Sequence, residues 1–223
     1  MNILITGGGT EEPIDNVRSI CNFSTGTTAA TLADNFCKKE NNVLCLMSER
    51  GIKPSKAKYL TFRTFSDLQM LLRDVLLNNH FDLVVHAAAV SDFSIDKIFI
   101  DGKPVKKNSI CKIPSDKKVM ISLKNNPKLI DSIKKIASDS MLVGFKLTDH
   151  ASDDERLCAV QKLFYNGKRI KKNAPDFVVS NDKSEITADR HPCVIYNNEL
   201  LQVAKCDSVK KLSDLILKLT KRG

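Results

Sequence analysis

Residues 1–13 read MNILITGGGTEEP, an apolar run followed by a cluster of glycines. The apolar run ILIT (residues 3–6) predicts a buried strand, which three successive glycines follow directly. A glycine-rich turn behind a first strand is typical of α/β proteins that bind nucleotides or phosphate. The dinucleotide fingerprint G-x-G-x-x-G would need a glycine at position 12, where Glu12 stands. The sequence therefore indicates an α/β start without the standard dinucleotide loop.

Further apolar runs alternate with segments of helical periodicity along the chain. The runs are VLCLM (43–47), LVVHAAAV (83–90), MLVGF (141–145) and FVVS (177–180). The helical segments between them include residues 27–40, 65–79 and 126–138. Near the C-terminus, two β-prone pieces around Asn197 and Asn198 predict a hairpin, and an amphipathic helix is expected over residues 208–221. The pattern predicts a Rossmann-like α/β fold: a doubly wound, mostly parallel sheet with helices on both faces and a small antiparallel extension.

Length and composition favour one folded domain. The chain has 223 residues, of which 42% are hydrophobic, so we expect a single domain over residues 1–223. Apolar runs fall short of the roughly 20 residues that cross a bilayer, and the N-terminal run is too short for a signal peptide. We therefore expect a cytoplasmic protein without a membrane partner. The irregular, lysine-rich segment at about 94–115 is expected to be a flap or a surface hairpin.

The charge of the chain and its cysteines and histidines indicate which classes of partner and metal site to expect. The formal net charge is +9, but aromatic residues make up only 6% and do not alternate with the basic ones. The stacking platform of a single-strand nucleic-acid binder is therefore missing, and we expect no nucleic-acid partner. The seven cysteines form no C-x-x-C pair and the four histidines lie far apart, so the sequence signals no resident metal site. Any metal is expected to be Mg²⁺ that arrives with a nucleotide.

Ligands of open α/β sheets bind beyond the carboxyl ends of the strands. Small or polar residues occur at these positions: the glycines at 7–9, the alanines at 87–89 with Asp92, Phe145 with Lys146, and Asn181 with Asp182. They predict a nucleotide-like ligand. His86 lies inside an apolar run, where a core histidine and a ligand contact are both open.

A nicotinamide-binding oxidoreductase or regulatory binding protein of the same fold stays open as the alternative. Glu49, near the end of the second strand, could hold a ribose. The short-chain dehydrogenase pair of tyrosine and lysine is not met, because Arg169 stands four residues after Tyr165.

Residues 7–26, GGGTEEPIDNVRSICNFSTG, resemble the opening signature of the phosphopantothenoylcysteine synthetase family. The likeness continues in order and spacing through HAAAVSDF (86–93), CKIPS (111–115), LKNNPKLI (123–130), LVGFKL (142–147), KRIKKNAPDFVVSND (168–182) and ITADRH (186–191). The GFKL and I-x-x-D-x-H elements are most similar to the stand-alone bacterial form, so we expect no flavin-dependent decarboxylase half.

The resemblance implies a ligase of coenzyme A biosynthesis that joins 4′-phosphopantothenate to L-cysteine. In the bacterial family the co-substrate is CTP, which would form an acyl-cytidylate and pyrophosphate before the cysteine amine displaces CMP. This chemistry needs charge neutralisation and oxyanion donors, and no protein nucleophile. The resemblance also implies a homodimer with the active site near the dimer interface.

The resemblance further implies roles for individual residues. As catalytic residues, Asn22 is expected to contact the acyl carbonyl and phosphate of the intermediate, and Lys112 to close on the triphosphate from the flap. Arg18 is expected to anchor the phosphate of phosphopantothenate. The other expected substrate contacts are Gly9, Ala88 and Ala89, and the expected nucleotide contacts are His86, Ala87, Ala88, Asp92, Lys112, Asn126, Pro127, Lys128, Leu129, Phe145, Lys168 and Lys172. Lys168 and Lys172 are expected one turn apart on a helix.

The chain also departs from the family pattern. The family often reads S-S-G-K-M-G after the asparagine, whereas residues 24–29 read S-T-G-T-T-A and lack the lysine. The opening stretch is then interpreted as an inserted excursion, residues 12–23, that carries Arg18 and Asn22 to the substrate. The first helix is expected to begin only near Thr25.

Overall fold

The computed structural model describes residues 1–105 and 112–220. Its strands are β1 (Asn2–Gly7), β2 (Glu11–Pro13), β3 (Ser19–Cys21), β4 (Asn42–Ser48), β5 (Lys58–Phe62), β6 (Leu83–His86), β7 (Phe93–Ile100), β8 (Lys103–Val105), β9 (Val119–Asn125), β10 (Met141–Thr148), β11 (Tyr165–Asn166), β12 (Arg169–Ile170), β13 (Phe177–Asp182), β14 (Cys193–Asn197) and β15 (Gln202–Cys206). Its α-helices are α1 (Thr27–Cys37), α2 (Phe65–Asn78), α3 (Ile130–Ile136), α4 (Asp153–Phe164) and α5 (Val209–Thr220). Cys111 of the CKIPS motif, the middle of the expected flap and Lys221 of the last expected helix lie outside the described residues.

An eight-stranded sheet in the order β15-β14-β13-β10-β6-β1-β4-β5 forms the centre of the fold. Neighbours from β13 to β5 pair in parallel. The last two strands, β14 and β15, add an antiparallel edge. The predicted fold class, with its small antiparallel extension, is confirmed.

Successive side chains of a strand point to opposite faces of the sheet. Because both sets of side chains are apolar here, helices pack on both faces. Ile3 and Ile5 of β1 pack in one cluster with helices α1 and α5. Leu4, between them, packs in a second cluster with helices α2 and α3. Helix α2 begins at a capping box in which Thr64 and Asp67 bond each other's backbone amides, an arrangement worth about 1 kcal/mol.

The excursion after the first strand is a short antiparallel hairpin of β2 and β3. Helix α1 begins at Thr27, two residues later than expected, after Gly26 in the left-handed conformation (φ 76°). The delayed helix inferred from the sequence is therefore correct. The hairpin lies beside a separate antiparallel sheet of β8, β7 and β9.

The helical placement of Lys168 and Lys172 is wrong. Helix α4 ends at Phe164, and Lys168 lies in the turn between β11 and β12. The helix ends because Tyr165 is already extended (φ −116°, ψ 150°) and pairs in the hairpin. Gly167 adopts a positive φ of 61° in the turn of that hairpin. Lys172 lies in a second turn, and both side chains are exposed.

Candidate functional site

A cavity of about 1060 Å³ opens at the carboxyl ends of the parallel strands. Among the residues with an expected role, Gly9, Asn22, Ala87, Ala88, Ala89 and Phe145 line it. The volume lies at the upper end of the range for small-molecule sites, so a ligand of nucleotide size can enter. Ligands of open parallel sheets usually bind at this place, beyond the carboxyl ends of the strands.

The floor of the cavity is backbone from two adjacent strand ends. Ala89 N donates to Gly8 O at 2.9 Å, and Thr10 N donates to Ala89 O at 3.2 Å. A Cβ atom on Gly9 would overlap the backbone oxygen of Asn22. Glycine is therefore required here because the excursion approaches the strand end so closely.

Asn22 stands directly after β3 and reaches over this floor. Its Nδ2 donates to Ala89 O at 3.2 Å, and its backbone N donates to Thr10 O at 3.4 Å. A side-chain amide carries two N–H donors and one carbonyl acceptor. Asn22 can thus stay bonded to Ala89 while it donates to a ligand in the cavity.

The start of helix α1 forms a second wall. Residues 24–29 line the cavity, and Thr25 Oγ1 lies 2.8 Å from Thr27 Oγ1. The N-terminal amides and dipole of a helix favour an anion at this end. Hydroxyl groups thus stand in this loop, where the family pattern has a lysine.

Four cationic residues that sequence reasoning missed line the cavity: Arg50, Arg63, Lys183 and Arg190. Arg63 Nε donates to Glu11, and Arg50 Nε lies 3.6 Å from the same carboxylate. Arg50, Arg63 and Lys183 follow shortly after strands β4, β5 and β13, and Arg190 lies inside the ITADRH motif. These positions are their only local signal in the sequence.

The loop that carries Arg50 is held by a lysine. Lys53 Nζ donates to the backbone oxygens of Ser48, Glu49 and Gly51 at 2.7, 2.7 and 2.6 Å. Three charge-assisted bonds from one ammonium fix the course of this loop at the mouth of the cavity.

The opposite wall comes from the end of β13 and from the segment that follows it. Asn181 and residues 186–191 line the cavity together with Phe145. The Asn181 Nδ2 and His191 Nε2 atoms lie 3.3 Å apart, and burial lowers the pKa of His191. A neutral imidazole and an amide offer hydrogen bonds of defined direction, which suits recognition of a polar ring or sugar.

His86 lies beneath the site and does not line the cavity. Its Nδ1 is 2.9 Å from Thr6 Oγ1, and Ala88 N donates to the same hydroxyl at 3.2 Å. Burial lowers the pKa of His86 to about 4. His86 is therefore a buried residue that supports the alanine run through Thr6, and its expected contact with a nucleotide stays a prediction.

The stability of the protein should fall as the pH drops from 6.5 towards 4. The pKa of His86 is lowered from 6.5 to about 4 on folding, so over this window the unfolded chain binds a proton that the folded chain does not. The full difference corresponds to about 3 kcal/mol. Urea denaturation at several pH values should show a shallower fall for His86→Gln than for the wild type. Equal slopes for His86→Gln and the wild type would contradict this account.

Asp92, Asn126 and Lys128 form a separate polar group outside the cavity lining. Lys128 Nζ pairs with Asp92, and Asn126 N donates to Asp92 O at 2.8 Å. Asn126 Nδ2 donates to Ser91 O at 3.0 Å, and Ser91 N donates to Thr10 Oγ1 at 2.9 Å. The group is therefore tied to the glycine loop through Ser91.

The remaining expected residues are placed apart from the cavity. Pro127 is exposed beside this polar group, whereas Leu129 is buried in the core with helix α3. Lys112 is exposed and directly precedes Ile113. Arg18 Nη2 donates to Ile113 O at 3.2 Å, so this guanidinium contacts the flap segment.

Residues 1–105 and 112–220 contain neither a cluster of metal ligands nor a membrane-spanning helix. In this part of the chain, no group of three or more His, Cys, Asp or Glu side chains could hold a metal ion. No helix within the described ranges is both long and apolar enough to cross a membrane.

The chain is similar to curated proteins that are named for coenzyme A biosynthesis. It is 28% identical over 225 residues to the coenzyme A biosynthesis bifunctional protein CoaBC of Methanocaldococcus jannaschii, covering 99% of this chain and 50% of that protein. It is 26% identical over 221 residues to the protein of the same name from Thermococcus kodakarensis, covering 97% and 51%. The chain thus spans about half the length of the curated relatives it matches.

Solved structures share the fold. The DNA/pantothenate metabolism flavoprotein of Streptococcus pneumoniae superposes with a TM-score of 0.84 at 24% identity, covering 100% of this chain and 99% of that one. A Cab2 variant in complex with phosphopantothenate-cysteine superposes with a TM-score of 0.70 at 17% identity, covering 99% and 86%.

A family profile described as the DNA/pantothenate metabolism flavoprotein C-terminal domain matches residues 1–220, nearly the whole chain. The family resemblance inferred from the sequence motifs is therefore confirmed, and the nicotinamide-binding alternative is not favoured. The protein belongs to the DNA/pantothenate metabolism flavoprotein C-terminal domain family.

Proposed function

We propose that this chain is a phosphopantothenate-cysteine ligase of coenzyme A biosynthesis that acts through an acyl-cytidylate. The observation that carries the proposal is the cavity at the strand ends, where the Asn22 amide stands over the backbone of residues 87–89. Family membership and the names of the curated relatives support the same pathway. The complex of a structural neighbour with phosphopantothenate-cysteine supports these substrates.

In the first step, a carboxylate oxygen of 4′-phosphopantothenate attacks the α-phosphorus of CTP. The bond from the α-phosphorus to the bridging oxygen breaks, and pyrophosphate leaves. This step needs positive potential around the triphosphate and an in-line arrangement of the two substrates. The start of helix α1 and the guanidinium groups of Arg50 and Arg63 line the cavity and supply this positive potential. Lys112 lies outside the cavity lining, and we propose from the family resemblance that it adds a point charge from the flap.

In the second step, the neutral amine of cysteine attacks the acyl carbon of the intermediate. Negative charge develops on the carbonyl oxygen, where the Nδ2–H group of Asn22 donates. The carbon–oxygen bond to the nucleotide then breaks, CMP leaves, and the amine proton passes to solvent. The residues supply binding, orientation and donors, so no covalent enzyme intermediate is required.

Mg²⁺ is proposed to enter with the nucleotide, where it would neutralise charge on the phosphate oxygens. Glu49 and Asp189 line the cavity and have carboxylate oxygens of the kind that Mg²⁺ binds. Glu11 suits the ion less, since Arg63, Arg50 and Ser19 surround its carboxylate.

A homodimer and a cytoplasmic location complete the proposal. Apolar side chains are exposed on the excursion and on the neighbouring sheet, including Val17, Phe23, Phe93 and Met120. Phe23 alone exposes 94% of its surface at the edge of the cavity, so a second copy of the chain would bury it there.

Ordered addition of substrates tests the function. With CTP and Mg²⁺, pyrophosphate should appear only when phosphopantothenate is present, and CMP should appear only after cysteine is added. ATP in place of CTP tests base selectivity in the same assay, and NADP is the thermal-shift control for a nicotinamide site. Pyrophosphate release without phosphopantothenate, or no release at all, would contradict the proposal.

A further inference from the structure

A buried carboxylate connects the excursion to the flap. Asp15 lies in the turn between β2 and β3, and its side chain is fully buried. Its Oδ1 accepts the backbone N–H groups of Val17 at 2.8 Å and Arg18 at 2.7 Å. Its Oδ2 accepts the backbone N–H of Ile113 at 3.0 Å. Hydrogen bonds from the backbone of Ile113 and Val17 hold the pKa of Asp15 below its ordinary value.

The backbone carbonyl of Ile113 also accepts a hydrogen bond from this turn, donated by Arg18. Arg18 Nη2 donates to Ile113 O at 3.2 Å, and Arg18 Nη1 lies 3.5 Å from Asp15 Oδ2. The Ile113 side chain is buried with Ile95 and Ile98, and Ile14 of the excursion packs against them. Ile113 is therefore held by its N–H, its carbonyl and its side chain.

The consequence concerns the two residues expected to act on the intermediate. Lys112 directly precedes the anchored Ile113, and Asn22 follows β3, the second strand of the hairpin that carries Asp15 and Arg18. We propose that Asp15, assisted by Arg18, is a positioning residue that fixes Lys112 relative to Asn22. The proposal deepens the proposed function and rests on it.

The chemistry of the turn explains why a carboxylate stands there. A turn of this kind needs only one side-chain oxygen, which asparagine can supply as well as aspartate. The bond to Ile113 needs the second oxygen, and the paired Arg18 needs its charge. Burying a carboxylate is costly unless such partners offset the loss of water. The residue type is therefore set by the link to the flap.

Asp15→Asn separates these two roles. Its Oδ1 can still accept from Val17 and Arg18, but its Nδ2 group would face the N–H of Ile113, donor against donor. Hydrogen exchange at the Ile113 amide should become at least about tenfold faster, because an opened amide loses its protection. Pyrophosphate release should slow by about ten- to a hundredfold, the order expected when a catalytic group is misplaced by up to 1 Å.

A matched control is Asp34→Asn. Asp34 accepts hydrogen bonds from the backbone amides of Ser55 and Lys56 at 3.1 and 2.8 Å. Burial is the largest influence on the pKa of Asp34 and raises it, but the hydrogen bonds from Ser55 outweigh burial, so the pKa is lowered as it is for Asp15. Asp34 lies outside the cavity lining, so this variant should keep the wild-type rate and the wild-type exchange at Ile113. If Asp15→Asn fails to fold, Arg18→Lys tests the link through hydrogen exchange at Ile113, because one ammonium cannot reproduce the planar bridge between Asp15 and Ile113.

A double-mutant cycle with Lys112→Gln distinguishes positioning from general structural damage. If Asp15 acts through Lys112, Asp15→Asn should cost little further rate in a Lys112→Gln background. Multiplicative losses, or unchanged exchange at Ile113, would overturn the proposal. Absence of all ligase activity would refute the proposed function instead, and the exchange measurement would still decide whether Asp15 anchors the flap segment.

Discussion

Replacing Asn22 by aspartate should slow amide formation by about 10²- to 10³-fold, the usual cost of removing one oxyanion donor. The wild-type amide donates to Ala89 O and stands at the cavity, whereas a carboxylate would repel both that carbonyl and the acyl phosphate. Preforming the intermediate and then adding cysteine isolates this step. Rapid quenching should show slow release of CMP after cysteine is added.

The control for this variant is Asn78→Asp. Asn78 Nδ2 also donates to a backbone carbonyl, that of Asp74 at 2.8 Å, but it lies at the C-terminal end of helix α2, outside the cavity lining. The substitution places a negative charge at the C-terminal end of the helix, so it should cost a few tenths of a kcal/mol to about 1 kcal/mol in stability. It should leave the rate of CMP release unchanged. Equal CMP release by Asn22→Asp and the wild type would remove Asn22 from the catalytic residues.

Gly9→Ala should lower turnover by about 10²-fold with little loss of overall stability. The new Cβ would overlap the backbone oxygen of Asn22, so the excursion must move away from the strand end. Asn22 would then lose its place over Ala89, while the sheet and helix packing would remain. Steady-state kinetics and urea denaturation of the same preparation measure the two effects.

Gly102→Ala is the matched glycine control, with the opposite expectation. A Cβ there meets nothing within 4 Å, but the residue has a φ of 78°, which side chains avoid. Its cost should be about 1–2 kcal/mol in stability, with no change in rate. If Gly9→Ala instead behaves like this control, the close approach of Asn22 does not matter for activity.

Much of the fold follows from local patterns in the sequence. The runs at residues 3–6, 43–47 and 83–90 are apolar because their strands are covered on both faces. Strand β5 was missed because KYLTF is largely exposed at the edge of the sheet and lacks such a run. Helix α4 was missed because few of its residues are buried, and it is recognised best by its Ser152 and Glu155 capping box.

The sequence predicts residues of the candidate site that follow the ends of buried strands. It predicts less well the residues that come from the other loops around the cavity. Gly9 and Phe145 come together because parallel strands finish at one edge of the sheet. Asn22 reaches the same cavity from the antiparallel hairpin of β2 and β3. The cavity cations were missed because nothing local distinguishes Arg50 or Arg63 among the 35 lysines and arginines of the chain. The contact of Arg18 with Ile113 joins residues 95 positions apart, and no sequence period reports such a contact.

Ligation through an acyl-nucleotide determines where the carboxylate oxygens of phosphopantothenate end up. Phosphopantothenate labelled with ¹⁸O in both carboxylate oxygens should be ligated to cysteine with CTP, and the CMP analysed by mass spectrometry. Attack on the α-phosphorus followed by displacement at the acyl carbon transfers one labelled oxygen to each CMP and leaves the other in the amide. CMP without label, while ligation proceeds, would contradict the account.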